Sequence, residues 1–179
     1  MSLCLVAIAA SAATRPAMAD AYLTPFVGTA FGGQADDSRL TYGGSLTLAG
    51  EHGLLGVALD FGYTKDFLGR SQLGANNVAT LMGNLVLLSP GRTRLYGSAG
   101  LGLLETHLQD LSGLAEIDSN ELGVDVGGGV LLLAGEHVGL AGDLRYFRRL
   151  TDPEPDGRFD VGLGDLDFWR LAGGVTLRF

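Results

Sequence analysis

Five charged residues stand inside otherwise apolar segments and are the side chains best placed to do chemistry. They are Asp60, Asp125, Asp143, Arg145 and Arg170. A buried charge is costly unless an opposite charge and hydrogen bonds compensate it, so residues of this kind are expected to meet one another. We predict an Asp125/Arg145 ion pair with the other three side chains nearby.

Nucleophilic hydrolysis would need a serine beside a histidine and an orienting acid. Two histidines, His52 and His137, lie in short turn-like segments, and His107 lies in a longer polar segment with Asp110 and Ser112. That is ordinary loop composition. We therefore predict no catalytic residues.

An acidic segment, Asp152-x-Glu154-x-Asp156-Gly157-x-x-Asp160, resembles the start of a calcium-binding loop. Two prolines stiffen it, and Leu163 occupies the place of the bidentate glutamate. The segment is read as a solvated acidic loop, which could bridge surface lipopolysaccharide through divalent ions. No metal site and no cofactor are predicted.

The composition excludes several classes of protein. The chain of 179 residues is 46% apolar, carries a formal charge of -8 and has 29 glycines. Such an acidic chain lacks the basic stripe that binds phosphates, so nucleic acid is excluded as a partner. Only 18% of residues are charged, against ~25 to 35% on a typical soluble surface, so much of this surface faces something other than water.

The first 19 residues are read as a secretory signal peptide. An uncharged apolar run ends at Pro16 and is followed by Ala17-Met18-Ala19, an A-x-A cleavage sequence. The usual positive n-region is missing. We expect cleavage after Ala19, recognised through Ala17 and Ala19, which also removes Cys4, the single cysteine. Residues 20–179 are then one domain without a disulfide.

From Asp20 onward, apolar residues alternate with small or polar ones, and this period of two predicts β-strands with two different faces. Eight such runs occur, near 21–31, 41–49, 54–64, 77–88, 93–104, 121–133, 138–149 and 167–179. The connections alternate in length. Segments 50–53, 89–92 and 134–137 are short, whereas 32–40, 65–76, 105–120 and 150–166 are longer and polar. Short turns at one end and long loops at the other are typical of an up-and-down transmembrane barrel.

The non-apolar positions of the strands favour a membrane barrel over a soluble periplasmic barrel of the lipocalin type. They are mostly Gly, Ala, Ser and Asn, which suit a narrow lumen better than a water-facing surface. Ten aromatic residues near strand ends are predicted to form interfacial girdles: Tyr22, Tyr42, Phe61, Tyr63, Tyr96, Tyr146, Phe147, Phe168, Trp169 and Phe179.

Counting up from the short turns places the five charges on the luminal face. It puts Asp125 opposite Arg145 whether the strand through 127–129 contains a one-residue bulge or the following turn has an odd length. Eight strands enclose room only for side chains, so a plug is favoured over an ion gate.

Four segments give the chain its resemblance to a known family: Ala21-Tyr22-Leu23-Thr24-Pro25-Phe26-Val27-Gly28, Tyr96-Gly97-Ser98-Ala99-Gly100-Leu101-Gly102, Gly142-Asp143-Leu144-Arg145-Tyr146-Phe147 and Val175-Thr176-Leu177-Arg178-Phe179. With the signal peptide, they resemble the small eight-stranded outer-membrane barrels, the OmpX-like proteins and the transmembrane domain of OmpA-like proteins. The resemblance covers residues 20–179. It implies that the last strand is the signal read by the outer-membrane assembly machinery, through Trp169, Leu171, Val175, Leu177 and Phe179.

The expected fold is therefore an all-β, eight-stranded antiparallel barrel in the outer membrane. The expected function is non-enzymatic: a monomer that contacts outer-membrane lipid and lipopolysaccharide and serves envelope integrity, surface interaction or adhesion. Two alternatives stay open. One is a lipid A-modifying enzyme of the outer membrane, although the strands lack the Ser–His spacing of those enzymes. The other is a soluble periplasmic ligand-binding barrel.

Overall fold

A computed structural model describes residues 20–33, 35–50, 54–65, 67, 76–109, 116–150 and 167–179. The predictions for Cys4, Ala17, Ala19, His52, Asp110, Ser112 and the acidic segment 152–163 lie outside the described residues. His107 lies within a strand, but its side chain is also outside them. The signal peptide and its boundary remain predictions.

Eight antiparallel strands form one closed barrel, as the alternating pattern predicts. They are β1 Asp20–Gly32, β2 Ala35–Ala49, β3 Leu55–Lys65, β4 Asn76–Leu88, β5 Thr93–Gln109, β6 Glu116–Leu133, β7 Val138–Arg149 and β8 Asp167–Arg178. Each strand pairs with the next along the chain, and β8 pairs with β1. Backbone bonds between Ala21 and Phe179 continue this seam to the end of the chain. No described helix is long and apolar enough to cross a membrane.

The two ends of the barrel differ in their connections. We call one the turn end; it carries Asp20, Phe179 and the connections 50–54, 89–92 and 134–137. We call the opposite end, where the other connections between strands lie, the loop end. Two of the long loops predicted there are wrong in extent, because β2 already begins at Ala35 and the β5–β6 pairing continues to Gln109 and Glu116. Polar residues in these segments therefore do not indicate a loss of strand pairing.

The register through the three consecutive glycines 127–129 is continuous. Strand β6 pairs with both neighbours there with one residue opposite one residue, so the bulge-free alternative describes this strand. The expected position of Asp125 is wrong by two residues: Phe147 lies opposite Asp125, and Gly127 lies opposite Arg145. The cause is the turn that follows, in which Leu133 pairs with Gly139. The first turn has a similar sequence, but the last pair of the strands that it joins is Ala49 and Gly56. The connection 50–55 is therefore one residue longer than the connection 134–138.

Alternate side chains divide cleanly between the two faces of the barrel. The outer face is apolar, and its large hydrophobic residues are about half exposed, from Leu177 at 38% to Phe179 at 74%. The inner face holds two apolar clusters. Phe67, Met82, Phe147 and Phe168 belong to the cluster near the loop end, and Val86, Leu88 and Leu131 to the one near the turn end.

Four of the ten aromatic residues predicted for the interfacial girdles face the lumen instead. Tyr22, Phe147 and Phe168 are buried, and the hydroxyl of Tyr96 bonds to luminal Asp143. Aromatic residues favour strands on either face. Position near a strand end therefore does not show whether an aromatic residue belongs to the girdle. Its odd or even position within the strand does, because that position decides which face of the sheet the side chain is on.

Candidate functional site: the luminal charge layer

The five charged residues of the sequence prediction lie together in the lumen, between the two apolar clusters. We call Asp60, Asp125, Asp143, Arg145 and Arg170 the luminal charge layer. They come from β3, β6, β7 and β8. Asp143 and Arg145 are two residues apart on one strand and so share its inner face. Arg145 and Arg170 are direct register partners on β7 and β8.

Arg145 is the centre of this layer. Its Nε lies 2.8 Å from Asp143 Oδ1, its Nη1 lies 3.2 Å from Asp125 Oδ2, and its Nη2 lies 3.8 Å from Asp60 Oδ2. Its side chain is only 4% exposed. One guanidinium thus faces three carboxylates from three strands, which ties β3, β6 and β7 together across the lumen.

Arg170 makes one close ion pair and two aromatic contacts. Its Nη2 lies 2.8 Å from Asp60 Oδ1 and 3.8 Å from Asp143 Oδ1. The guanidinium carbon lies 4.5 Å from the ring centroid of Phe26 and 4.9 Å from that of Phe147. Nε and Nη1 are buried without a hydrogen-bond partner. Cation–π attraction to two rings, worth ~2 kcal/mol or more for a desolvated contact, compensates part of that loss.

Two polar residues that the sequence prediction missed complete the layer. Tyr96 donates its hydroxyl to Asp143 Oδ2 at 2.7 Å. With its amide oriented to suit its neighbours, Asn84 donates to both carboxylate oxygens of Asp125 at 2.9 Å, and its oxygen accepts from Arg145 Nη1 at 3.3 Å. Both residues occupy inward positions of their strands, so alternation from the apolar outer residues identifies them.

Glycines make the space that the long side chains fill. A Cβ at Gly62 would lie 2.7 Å from Arg170 Nη1 and 2.8 Å from Thr80 Oγ1. A Cβ at Gly100 would lie 2.7 Å from Asn84 Cγ. These inward glycines explain part of the high glycine content, because a narrow lumen cannot hold a side chain at every inward position.

A cavity of about 60 Å³ lies between the layer and the turn end. Its polar lining residues are Thr24, Ser45, Thr47, Asp60, Asp143 and Thr176. At the turn end Arg94 crosses from β5 to donate to the Tyr22 hydroxyl at 2.8 Å. Arg178 Nη2 lies 2.7 Å from Asp20 Oδ1. The lumen is thus bounded by paired charges at this end too.

The five residues predicted to form the assembly signal lie on the outer face of β8 and its end. Trp169, Leu171, Val175, Leu177 and Phe179 are between 38% and 74% exposed. They lie next to the β1–β8 seam, where the first and last strands close the barrel. These residues therefore share one face of the barrel, and their role in assembly stays a prediction.

Chemically, the layer is built to hold charges in place. Buried arginines and carboxylates that satisfy one another replace an apolar core at this level of the lumen, and removing one partner exposes the others to an uncompensated burial cost. Among the described residues, no group of three His, Cys, Asp or Glu side chains could hold a metal ion.

A closed eight-strand barrel with an apolar outer face and a filled, partly charged lumen defines the small transmembrane β-barrel class. The chain has the fold of the eight-stranded outer-membrane barrels. Comparison of its sequence with protein-family models and with curated proteins gives no significant match.

Solved structures are similar to this chain in fold. Neisserial surface protein A (NspA) superposes with a TM-score of 0.67 at 16% identity, covering 90% of this chain and 97% of that one. Outer membrane protein H (OprH) of Pseudomonas aeruginosa gives 0.59 at 19% identity, covering 89% and 99%. Ail, the attachment invasion locus protein of Yersinia pestis, gives 0.57 at 14% identity, covering 90% and 97%.

Proposed function

We propose that this chain is a non-enzymatic protein of the bacterial outer membrane, exported through the signal peptide 1–19, with its short turns in the periplasm and its acidic loops at the cell surface. Its role is envelope integrity or interaction at the surface. OprH is described as an outer membrane protein and Ail as an attachment invasion locus protein, and the fold similarity to both supports the proposal.

The observation that carries this proposal is the filled lumen. Arg145 and Arg170 lie across it and are 3% and 1% exposed, with Phe147 and Phe168 stacked above them at a centroid distance of 4.9 Å. An eight-stranded barrel packed in this way offers no wide passage for solutes. The surfaces left for interaction are the apolar band, which fits lipid, and the ends of the barrel.

The partners proposed on this basis are outer-membrane lipid and lipopolysaccharide. The assembly machinery is a further proposed partner, which reads β8 through Trp169, Leu171, Val175, Leu177 and Phe179. The exposed outer positions of these five side chains support that role. A monomer is proposed because the barrel closes on itself and leaves no unpaired strand edge.

Cysteine labelling of intact cells tests location and orientation together. In a Cys4→Ser background, Asp156→Cys places a thiol in the acidic segment, and Gly135→Cys places one in a short turn where a Cβ meets no atom within 4 Å. A membrane-impermeant maleimide is expected to label only the first variant in intact cells and both after lysis. Labelling of the second variant alone in intact cells contradicts the proposed orientation, and labelling of neither contradicts surface exposure.

A further inference from the structure

Two aromatic pairs lie on the outer face near the loop end, and they differ in charge balance. Tyr42 and Tyr63 are register partners on β2 and β3 with ring centroids 5.5 Å apart. Tyr146 and Trp169 are register partners on β7 and β8 with centroids 5.1 Å apart. Each pair has a cation close by, Lys65 for the first and Arg148 for the second.

The Arg148 patch, formed by Tyr146, Arg148, Asp167 and Trp169, carries its own anion. Arg148 is the register partner of Asp167. The hydroxyl of Tyr146 donates to Asp167 Oδ2 at 3.0 Å. The carboxylate of Asp167 therefore has both a cation and a hydroxyl donor within the patch. Because this anion already balances the charge of Arg148, we do not expect the patch to bind an external anion.

The Lys65 patch, formed by Tyr42, Tyr63 and Lys65, has no matching anion among the residues that the structure describes. The ammonium of Lys65 lies 5.9 Å from the Tyr42 ring centroid, and no described carboxylate pairs with it. Among the described residues, neither the Tyr42 hydroxyl nor the Tyr63 hydroxyl has a hydrogen-bond partner. One cation and two hydroxyl donors thus face outward together, in a chain whose formal net charge is -8.

The Lys65 patch lies at the height expected for the edge of a bilayer. Outward residues of β3 run Leu55, Val57, Leu59, Phe61, Tyr63 and Lys65, from aliphatic to aromatic to cationic. Ten residues at ~3.3 Å each give about 33 Å along the strand, which the usual tilt of ~40° reduces to about 25 Å. That equals the usual height of the apolar band, so Lys65 lies at the depth of lipid headgroups.

We infer that the Lys65 patch binds the phosphate of a membrane lipid headgroup at the loop-end interface, with Lys65 supplying the charge and the two tyrosines supplying hydrogen bonds. This inference rests on the proposed membrane location and adds a named lipid-binding site to it. A lysine near an anionic lipid surface contributes about fivefold in affinity. The acyl chains of the same lipid lie against the aliphatic residues of β3.

The test uses the full barrel in maltoside micelles, which contain no phosphate. Native mass spectrometry counts bound lipid while phosphatidic acid is added, with diacylglycerol and inorganic phosphate as separate arms. One phosphatidic acid is expected to bind selectively, diacylglycerol is expected not to bind in its place, and inorganic phosphate is expected not to compete with it. Lys65→Gln is expected to weaken phosphatidic acid binding about fivefold and Lys65→Arg to retain it.

Arg148→Gln is the matched control and is expected to bind phosphatidic acid as the unaltered chain does. Equal losses in Lys65→Gln and Arg148→Gln, or no loss in Lys65→Gln, overturn the assignment. Displacement of phosphatidic acid by inorganic phosphate would contradict the inference that the ligand of the Lys65 patch is a lipid. Each sample is checked for a heat-dependent gel shift, so a folded barrel that binds no lipid contradicts this inference alone. A protein found outside the outer membrane contradicts the proposed function.

Discussion

Arg145 and Asp125 meet diagonally across the β6–β7 pair. Gly127 is the residue opposite Arg145, yet Arg145 Nη1 lies 3.2 Å from Asp125 Oδ2, two residues away along β6. The side chain reaches that position because Gly127 has no side chain: a Cβ there would lie 2.5 Å from Arg145 Cγ. The ion pair therefore depends on a glycine as much as on the two charges.

Removing Arg145 is expected to destabilise the barrel strongly. Arg145→Met leaves Asp60 and Asp143 with Arg170 as their arginine partner, and it removes the arginine that pairs with Asp125. Breaking a buried pair from one side costs about 3 to 5 kcal/mol. Urea unfolding of the refolded barrel, followed by tyrosine and tryptophan fluorescence, measures the change. Arg92→Met, at an exposed turn position, is the control and is expected to change stability by less than about 0.5 kcal/mol. Equal effects of the two substitutions would contradict the central role of Arg145.

Asp60 and Arg170 are expected to be energetically coupled. Their oxygen and nitrogen lie 2.8 Å apart and both side chains are 2% exposed. A double-mutant cycle with Asp60→Asn and Arg170→Met is expected to give an interaction free energy of about 1 to 3 kcal/mol. Additive single effects would mean that the ion pair between Asp60 and Arg170 does not contribute to stability.

Adding one methyl group at an inward glycine is expected to cost more than adding one at an outward glycine. Gly62→Ala forces Arg170 or Thr80 to move and is expected to destabilise the barrel by about 1 to 3 kcal/mol. Gly83→Ala is the control, because its Cβ would come no closer than 3.8 Å to any atom, and it is expected to be neutral or slightly stabilising. The same urea titration compares them, and a larger loss in Gly83→Ala contradicts the assignment of faces.

Two luminal hydroxyl groups are expected to differ in how much they contribute to the stability of the barrel. Ser98 Oγ is buried with no hydrogen-bond partner, so Ser98→Ala is expected to leave stability unchanged or raised. Thr41 and Thr64 share a buried hydrogen bond of 2.7 Å between β2 and β3, so Thr41→Val is expected to cost about 1 kcal/mol. A destabilised Ser98→Ala variant would show that the hydroxyl has a partner in the folded barrel.

The assembly role of the last strand is tested by changing its end. Phe179→Ala is expected to lower the amount of barrel in the outer membrane while leaving refolding in detergent intact, since Phe179 is exposed and its backbone alone makes the bonds to Ala21. Phe61→Ala, also on the outer face, is the control and is expected to assemble normally. If both variants assemble equally well, Phe179 is not part of the signal.

The sequence predicts the barrel well because strand alternation and hairpin connection are local properties. Alternation alone also places Asp60, Asp143 and Arg170 on one face, and pairing follows from the cost of burying them unpaired. The offset between Asp125 and Arg145 is harder to predict from the sequence, because it depends on the length of the turn at 134–138. Consecutive glycines also tolerate either strand register. The sequence prediction is wrong for four inward aromatics, because aromatic residues suit both faces: Tyr22, Tyr96, Phe147 and Phe168. Their odd or even positions match those of the inward residues Thr24, Ser98, Arg145 and Arg170 on the same strands.

The most direct test of a transmembrane barrel is its behaviour on a gradient and a gel. Membranes of cells that express the chain are separated into inner and outer fractions, and each fraction is run on a denaturing gel with and without boiling. The barrel is expected in the outer-membrane fraction, with faster migration before boiling than after it, because the closed sheet resists detergent until heated. Recovery in the soluble fraction, with one mobility under both conditions, would contradict the membrane barrel and favour a soluble periplasmic one.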